Sequence, residues 1–456
     1  MVGLKLKQPA RRLSVPTRGH GQLFISNIRE FKKLVKIGIA SLGIGRLLRQ
    51  HMVHRNPQLH RIVLLINIIG VVSVFSGINE IVYDEIVHPP RTNLMRCFIL
   101  HLDFADCMQC YRLNPIQLNE LYMSLRFPQD IPLFHRRINS QWAFLVFMYR
   151  QCSGCTFSIL VNKWGSDPTV LCRTYNYVLE FIYENWASLF LHGNDEIFAA
   201  YQERLPIYSD AIRDRVRENA DEVNQLAFAA RNNGHHDIPP FCFQQLEILD
   251  EYCHFGFIDG THRQFCNPGA GTNYQGDRNP FYREIQNVFY SGKHKNAGLK
   301  YVTICLPDGM IMYCSYAYPG RHNDSGIVIM TGLHDLLMNC QPQIPRKCAY
   351  GDYAFARREC ITKRHTEPRN NNDRLEDLCL NQCRTSVENS YHIVLDKFKI
   401  ERMWWNRRAS YRNHQISWVV SCFLSNCLNA LQHNQISIYF EVPPWTLQQF
   451  LNLQRD

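Results

Sequence analysis

Phe255-Gly-Phe-Ile-Asp-Gly-Thr-His262 opens the stretch, residues 255–397, that decides how the rest of the chain is read. It is an apolar, strand-like run carrying a carboxylate, Asp259. A second run of the same kind, Lys347-Cys-Ala-Tyr-Gly-Asp352, ends on Asp352. A third acid, Glu388, lies in Arg384-Thr-Ser-Val-Glu-Asn-Ser-Tyr-His-Ile-Val-Leu-Asp-Lys397, which reads as the start of an amphipathic helix. Thirty-five residues separate Asp352 from Glu388.

Carboxylates gathered at strand ends repel one another, and at least one pKa must rise unless cations come with them. Magnesium takes hard oxygen ligands and keeps several waters, so a few carboxylates on rigid elements plus a substrate phosphate suit it. Two such ions roughly 4 Å apart clamp the attacking and leaving oxygens of an in-line displacement at phosphorus. The acid pattern therefore points to metal-dependent phosphoryl transfer.

The intervening elements predict an α/β core. Gly298-Leu-Lys-Tyr-Val-Thr-Ile-Cys-Leu306 reads as a second strand and Pro307-Asp-Gly309 as a tight turn. Met310-Ile-Met-Tyr-Cys-Ser-Tyr-Ala-Tyr318 reads as a third strand. Asn323-Asp-Ser325 predicts the start of a helix running to about Met338, with Asp324 a candidate N-cap. The strand ending at Asp352 follows, which places Asp259 and Asp352 at the ends of neighbouring strands with Glu388 facing them from a helix.

Seven further pieces join Ile258-Asp-Gly-Thr261 in one order: Tyr290-Ser-Gly-Lys-His294, Gly298-Leu-Lys-Tyr301, Pro307-Asp-Gly309, Pro319-Gly-Arg-His-Asn-Asp-Ser-Gly326, Tyr350-Gly-Asp352, Ser386-Val-Glu-Asn389 and the closing apolar helix of 418–431. Together they resemble the DDE endonuclease domain of the PIF/Harbinger transposase superfamily, including its domesticated relatives. The resemblance covers roughly 240–435. It implies an RNase H-like nuclease core, a catalytic triad of Asp259, Asp352 and Glu388, and DNA strand cleavage and joining with a divalent metal, Mg2+ first and Mn2+ second. Asp324 matches a further acidic position and ranks as a supporting or alternative metal ligand. The resemblance also implies a Myb-like accessory protein and a nuclear setting, and a homodimer is a reasonable expectation for an enzyme that must hold two DNA ends. The competing reading is a domesticated, non-catalytic protein that binds DNA or recruits a partner on the same fold.

The chain's 456 residues suffice for two or three domains. Its composition, 46% hydrophobic and 20% charged, excludes an intrinsically disordered protein. Its 18 cysteines are scattered and read as reduced thiols. The net charge of +10 is uneven: residues 1–61 hold 13 Lys or Arg and one acid, Glu30. Such an arm suits a phosphate backbone or nuclear import. Residues 1–105 are otherwise an unassigned extension. The uncharged run of 62–78 is at the short limit for a membrane span and carries Asn67, Ser73 and Ser76, so a membrane role is disfavoured.

Residues 106–190 predict an all-α domain. Helical periodicity covers 115–125, Ser140 is a candidate cap for a helix over 141–150, and a short helix at 156–164 is followed by Gly165-Ser166. Asp167-Pro168 then opens a longer helix to about Trp186. Short helix, glycine turn, longer helix is helix-turn-helix spacing, with Thr169, Arg173, Asn176 and Tyr177 as candidate DNA-facing residues. On spacing alone a plain helical bundle fits as well; the resemblance tips the reading to DNA binding. Two Cys-x-x-Cys pairs, Cys107/Cys110 and Cys152/Cys155, have structural-zinc spacing, but 41 residues separate them and they read as small buried apolar side chains. Residues 191–240 read as a charged helical connector to the endonuclease domain, 241–435, and residues 436–456 as a C-terminal tail. Within that domain Lys293, His294, Lys295, Lys300 and Arg321, with Tyr282 and Tyr290 among them, read as a track for DNA backbone.

Overall fold

The computed structural model describes residues 99–133, 136–186, 200–247, 253–266, 280–339, 347–364, 368, 370–404 and 412–452. The basic arm and the apolar run of 62–78 lie outside them. No helix among the described residues is long and apolar enough to cross a membrane.

The helical part begins with α1 (Phe104–Tyr111) and α2 (Pro115–Ser124). The side chain of Asn114 accepts from Gln117 N at 2.9 Å, and that of Gln117 accepts from Asn114 N at 3.2 Å, a capping box that opens α2. A hairpin, β1 (Asp130–Leu133) and β2 (Arg136–Asn139), leads into α3 (Ser140–Ser153). The cap of α3 is Asn139, whose side chain accepts from Trp142 N at 3.1 Å, rather than Ser140. Ser140 is already the first helical residue, and its hydroxyl is engaged by Gln129 O at 3.1 Å and Tyr122 Oη at 2.7 Å. Next come α4 (Phe157–Trp164) and α5 (Pro168–Trp186). Asp167 accepts from Thr169 N at 2.7 Å at the start of α5. Its buried stripe, Leu171, Tyr175, Val178, Leu179 and Ile182, recurs at helical spacing and packs in part on α3.

The 28-residue α6 (Leu205–Asn232) buries Leu205, Tyr208, Ile212, Val216 and Ala220 along one face. That face lies against the sheet. The charged sequence expected to form a connector is thus a layer of the core, its acids and bases confined to the opposite side.

The large sheet is built from β3 (His254–Gln264), β4 (Tyr290–Ser291), β5 (Asn296–Cys305), β6 (Ile311–Cys314), β7 (Tyr318–Pro319), β8 (Cys348–Gly351) and β9 (Ile361–Lys363). Helix α7 (Pro280–Phe289) precedes β4. β5 is antiparallel to β3 and, on its other edge, to β4, β6 and β7 in turn. β8 is parallel to β3 and β9 parallel to β8. Across the middle of the sheet the order is therefore β6, β5, β3, β8, β9. The expected third strand is two shorter ones, β6 and β7. The expected single helix after it is also two, α8 (Asp324–Met330) and α9 (Leu333–Asn339), parted at Gly332, which takes φ +64.

The 27-residue α10 (Asn371–Lys397) is capped by Asn370, which accepts from Asp373 N at 2.7 Å. Glu388 is therefore deep inside this helix, nearly five turns from its start rather than at its beginning. α11 (Arg412–Gln432), α12 (Gln435–Tyr439) and α13 (Leu447–Asn452) complete the chain. α10 and the C-terminal helices cover one face of the sheet, where Phe257 stacks on Phe440 at 6.0 Å and Tyr391 meets Thr303. α6 shares that face, with Asn219 Nδ2 3.4 Å from Cys383 Sγ of α10 and 3.3 Å from Tyr439 Oη of α12. α11 is buried along most of its length and also receives α5. Residues 99–160 and 167–452 consequently form one compact unit, and the C-terminal segment is part of it: Phe440, Val442, Leu447, Phe450 and Leu451 are buried.

Candidate active site

The site starts from strand register. Ile258 of β3 pairs with Gly351 of β8 in parallel, so the residues that follow, Asp259 and Asp352, emerge beside each other. Asp259 Oδ1 accepts from Gly260 N at 2.8 Å, and Asp352 Oδ1 from Ala354 N at 2.8 Å, which orients both carboxylates from their own backbones.

Asp324 joins them from the other side of β3. The N-cap of α8 is its neighbour Asn323, which accepts from Gly326 N at 2.7 Å, so Asp324 is released from capping. Its carboxylate is buried and lies directly over Gly260: a Cβ placed there would stand 1.9 Å from Asp324 Oδ1. Only glycine allows this approach. Lys300, a residue only 9% exposed, places Nζ 2.9 Å from the same oxygen. Lys300 thus points inward as the counter-ion of Asp324, where the sequence suggested a DNA contact. Strand order alone favoured Asp352 over Asp324 as the neighbour of Asp259; both approach it.

Glu388 is carried by α10 on the face that docks at Asp259. One turn on, Tyr391 Oη donates to the backbone carbonyl of Asp259 at 2.8 Å and shares a 2.6 Å hydrogen bond with Thr303 Oγ1. Thr303 is the register partner of Asp259 on β5. One turn before, Arg384 Nη2 holds Glu388 Oε1 at 2.9 Å. Glu388 is half exposed, while Arg384 is largely covered. Tyr391 does not stand out in the sequence as a site residue, and Arg384 reads there only as one of the basic residues between Asp352 and Glu388 suited to contacting DNA ends, not as a partner of Glu388. Their i−4 and i+3 spacing from Glu388 is the signal that marks them.

Burial is the main cause of a raised pKa at Asp259, to about 6. Its hydrogen bond from Gly260 and the Arg384 charge oppose the rise, and the Asp352 and Asp324 charges add to it. The site is therefore an excess of negative charge, partly offset by Lys300 and Arg384. Among the described residues no three of its carboxylates bring their oxygens mutually within 4.8 Å. Asp259 lies midway along β3 rather than at its end, because β5 carries the strand on to Gln264; Asp352 follows β8, and Asp324 and Glu388 come from helices. The donor set is all carboxylate oxygen, which fits a hard divalent cation with retained waters.

Of the expected DNA track, Lys293, His294 and Lys295 are exposed on the β4–β5 turn, where Lys295 takes φ +58, and Arg321 is exposed after β7. His294 stacks on His262 at 4.6 Å. Partial desolvation of the stacked rings, with the charges of Lys300 and Arg263 close by, lowers both imidazole pKa values, His262 to about 4, so the stack is neutral near pH 7. Tyr290 is exposed, whereas the side chain of Tyr282 lies outside the described residues. On α5, Thr169 and Arg173 are exposed, and Asn176 and Tyr177 are part-exposed on the outer side of the helix. Cys107 and Cys152 are buried, which pushes their thiols up to about 11 and about 12. Neither Cys-x-x-Cys pair contributes to a described group of three metal-capable side chains.

Residues 258–426 match the family model described as DDE superfamily endonuclease. The match spans β3 through most of α11, and so includes all four acids. It supports a DDE transposase-like endonuclease domain on a mixed α/β, nuclease-like core, in a family that generally works with divalent metals and on DNA. No curated protein and no solved structure matches the chain.

Proposed function

We propose that the protein is a transposase-like DNA endonuclease of PIF/Harbinger type on an RNase H-like core. The observation that carries this reading is the parallel β3–β8 register, which sets Asp259 and Asp352 side by side within the matched domain while Tyr391 docks the Glu388-bearing helix on the same strand residue. Asp259, Asp352 and Glu388 are the catalytic acids in this reading, with Asp324 as a supporting ligand. Magnesium, with manganese as a substitute, supplies an activated oxygen nucleophile and neutralises charge at phosphorus when bound. The chain's part is to hold the acids on rigid strands, to fix the Asp259 backbone through Tyr391, and to keep Lys300 and Arg384 as counter-charges. Lys293, His294, Lys295 and Arg321 grip the DNA backbone. Arg173 and Asn176 on α5 read DNA in a helix-turn-helix, and a homodimer with a Myb-like partner in the nucleus completes the assembly.

One observation favours a second reading, DNA binding without cleavage. Lys300 and Arg384 already neutralise Asp324 and Glu388, as an acid site maintained without metal requires. Nicking of a labelled plasmid decides between the two. Metal-dependent cleavage abolished in Asp259→Asn and Glu388→Gln supports the nuclease. Salt-sensitive DNA binding, with neither cleavage nor acid-dependent Mg2+ or Mn2+ uptake by calorimetry, supports the second reading.

A further inference from the structure

At the N-terminal ends of β3 and β8, ahead of the acids they carry, lies a second cluster, of different chemistry. Cys253 immediately precedes β3, and His254 and Cys348 are the first residues of β3 and β8 and are register partners. The backbone N–H of Cys348 donates to Cys253 O at 2.7 Å, which brings the two cysteines together across the strand pair. A sulfur from each cysteine and a ring nitrogen of His254 all lie within 4.8 Å of one another, and among the described residues this is the one such group of three. Cys253 Sγ is 3.8 Å from His254 Nδ1. Tetrahedral zinc, with Zn–S of about 2.3 Å and Zn–N of about 2.0–2.1 Å, spaces its ligands about 3.6 Å (S to N) and about 3.8 Å (S to S) apart. The trio therefore needs to contract by no more than about 1 Å to enclose the ion.

The surroundings are those of a metal ligand set. Thr362 of β9 sits with Oγ1 2.9 Å from His254 Nε2 and holds the ring by that nitrogen, while Cys253 Sγ lies nearly equidistant from Nδ1, at 3.8 Å, and Nε2, at 3.9 Å, so Nδ1 reaches the ion by a turn of the ring. The same hydroxyl is 3.7 Å from Cys348 Sγ. His254 also packs edge-on against Tyr350 at 5.4 Å. His254 and Cys348 are buried while Cys253 is part-exposed, so the cluster is walled on the sheet side and open to solvent at one ligand. Asp259 is five residues along β3, roughly 16 Å at about 3.3 Å per residue, so these side chains do not belong to the acid site.

We infer that Cys253, His254 and Cys348 form a binding site for a soft divalent cation, zinc, with water as the fourth ligand. Binding transfers the two thiol protons to solvent and leaves two thiolates and a neutral imidazole on the ion. Two thiolates and an imidazole select zinc over the hard ions that carboxylates hold. The bound ion ties β3 to β8 at their first residues, and so pins the register that sets Asp259 and Asp352 side by side.

The test uses the full chain, reduced and stripped with a chelator, then titrated with Co2+ and Zn2+. One equivalent of Co2+ giving a thiolate-to-metal charge-transfer band, displaced by Zn2+, is expected from the wild type. The band is lost in Cys253→Ser and in Cys348→Ser, and Thr362→Val weakens zinc binding by about tenfold or more. It is kept in Asp259→Asn and in a Cys107→Ser/Cys152→Ser double variant, which separates this cluster from the acid site and from the Cys-x-x-Cys pairs. The proposal is overturned by a wild-type cobalt spectrum without thiolate character, by a thiolate-to-cobalt band that persists in the Cys253 and Cys348 variants, or by a Cys253–Cys348 disulfide in the protein as isolated. Where a cysteine variant fails to fold, a wild-type spectrum without thiolate character still overturns the proposal, and Thr362→Val, which keeps every ligand, still tests its place.

Discussion

Asp259 concentrates the chemistry of the site in one residue. Its folded pKa is raised from an ordinary value near 3.8 to about 6, chiefly by burial. Between those values the native state binds more protons than the unfolded chain, so stability contributed by this group falls as pH rises from about 4 through about 6. The full shift is worth up to ~3 kcal/mol. Asp259→Asn should therefore raise the melting temperature at pH 7 without metal while eliminating cleavage; an unchanged or lower melting temperature would show that the carboxylate is not strained. By the same sign, divalent-cation affinity measured by calorimetry should fall as pH drops through about 6, because the ligand form is the carboxylate. Gly260 gives a second test at this scale. An added methyl would collide with the Asp324 carboxylate, so Gly260→Ala should displace the Asp324–Lys300 pair and lower stability by about 1–3 kcal/mol, read by chemical denaturation.

Among the elements, α6 gains most from the three-dimensional structure. It is anchored to the sheet through Asp308, in the turn after β5, which is fully buried. Asp308 accepts from Tyr208 Oη at 2.6 Å and from Met310 N at 3.0 Å and lies 3.3 Å from Arg204 Nη1. Burial raises its pKa, while the Arg204 charge and the Tyr208 hydrogen bond hold it down. Asp308→Ala strips this buried arrangement of its acceptor and should cost about 3–5 kcal/mol in equilibrium unfolding. Asp308→Asn keeps the shape and should cost less. Equal losses in the two would mean that charge is not what α6 docks on.

At the scale of the whole molecule, the sheet is shared property. α6 covers it from the N-terminal side, α11 lies between it and α5, and α12 and α13 close over Phe257 and α11. A fragment of 241–435, the span of the endonuclease resemblance, would expose the faces that α6, α12 and α13 cover. It should be insoluble or lack a cooperative melt, whereas a chain from residue 99 onward should unfold in one transition. Recovery of a stably folded 241–435 would show that those helices are accessory.

The features that depend on local pattern are legible in the chain alone: the strand runs bearing Asp259 and Asp352, the opening of α5 at Asp167-Pro168, and the ordered pieces that point to an endonuclease domain. Strand period, caps and turn residues act over a few positions, so they survive reading in one dimension. Tertiary structure alone decided the rest. Asp324 enters the site because Gly260 lets a distant helix approach; Lys300 turns from a surface cation into a buried counter-ion; a charged connector becomes a core layer; and Cys253, His254 and Cys348, separated by more than ninety residues of chain, meet at one end of a parallel strand pair. Each of these is set by which strands become neighbours and in what register, and that is fixed by the burial of whole faces rather than by any short run of residues.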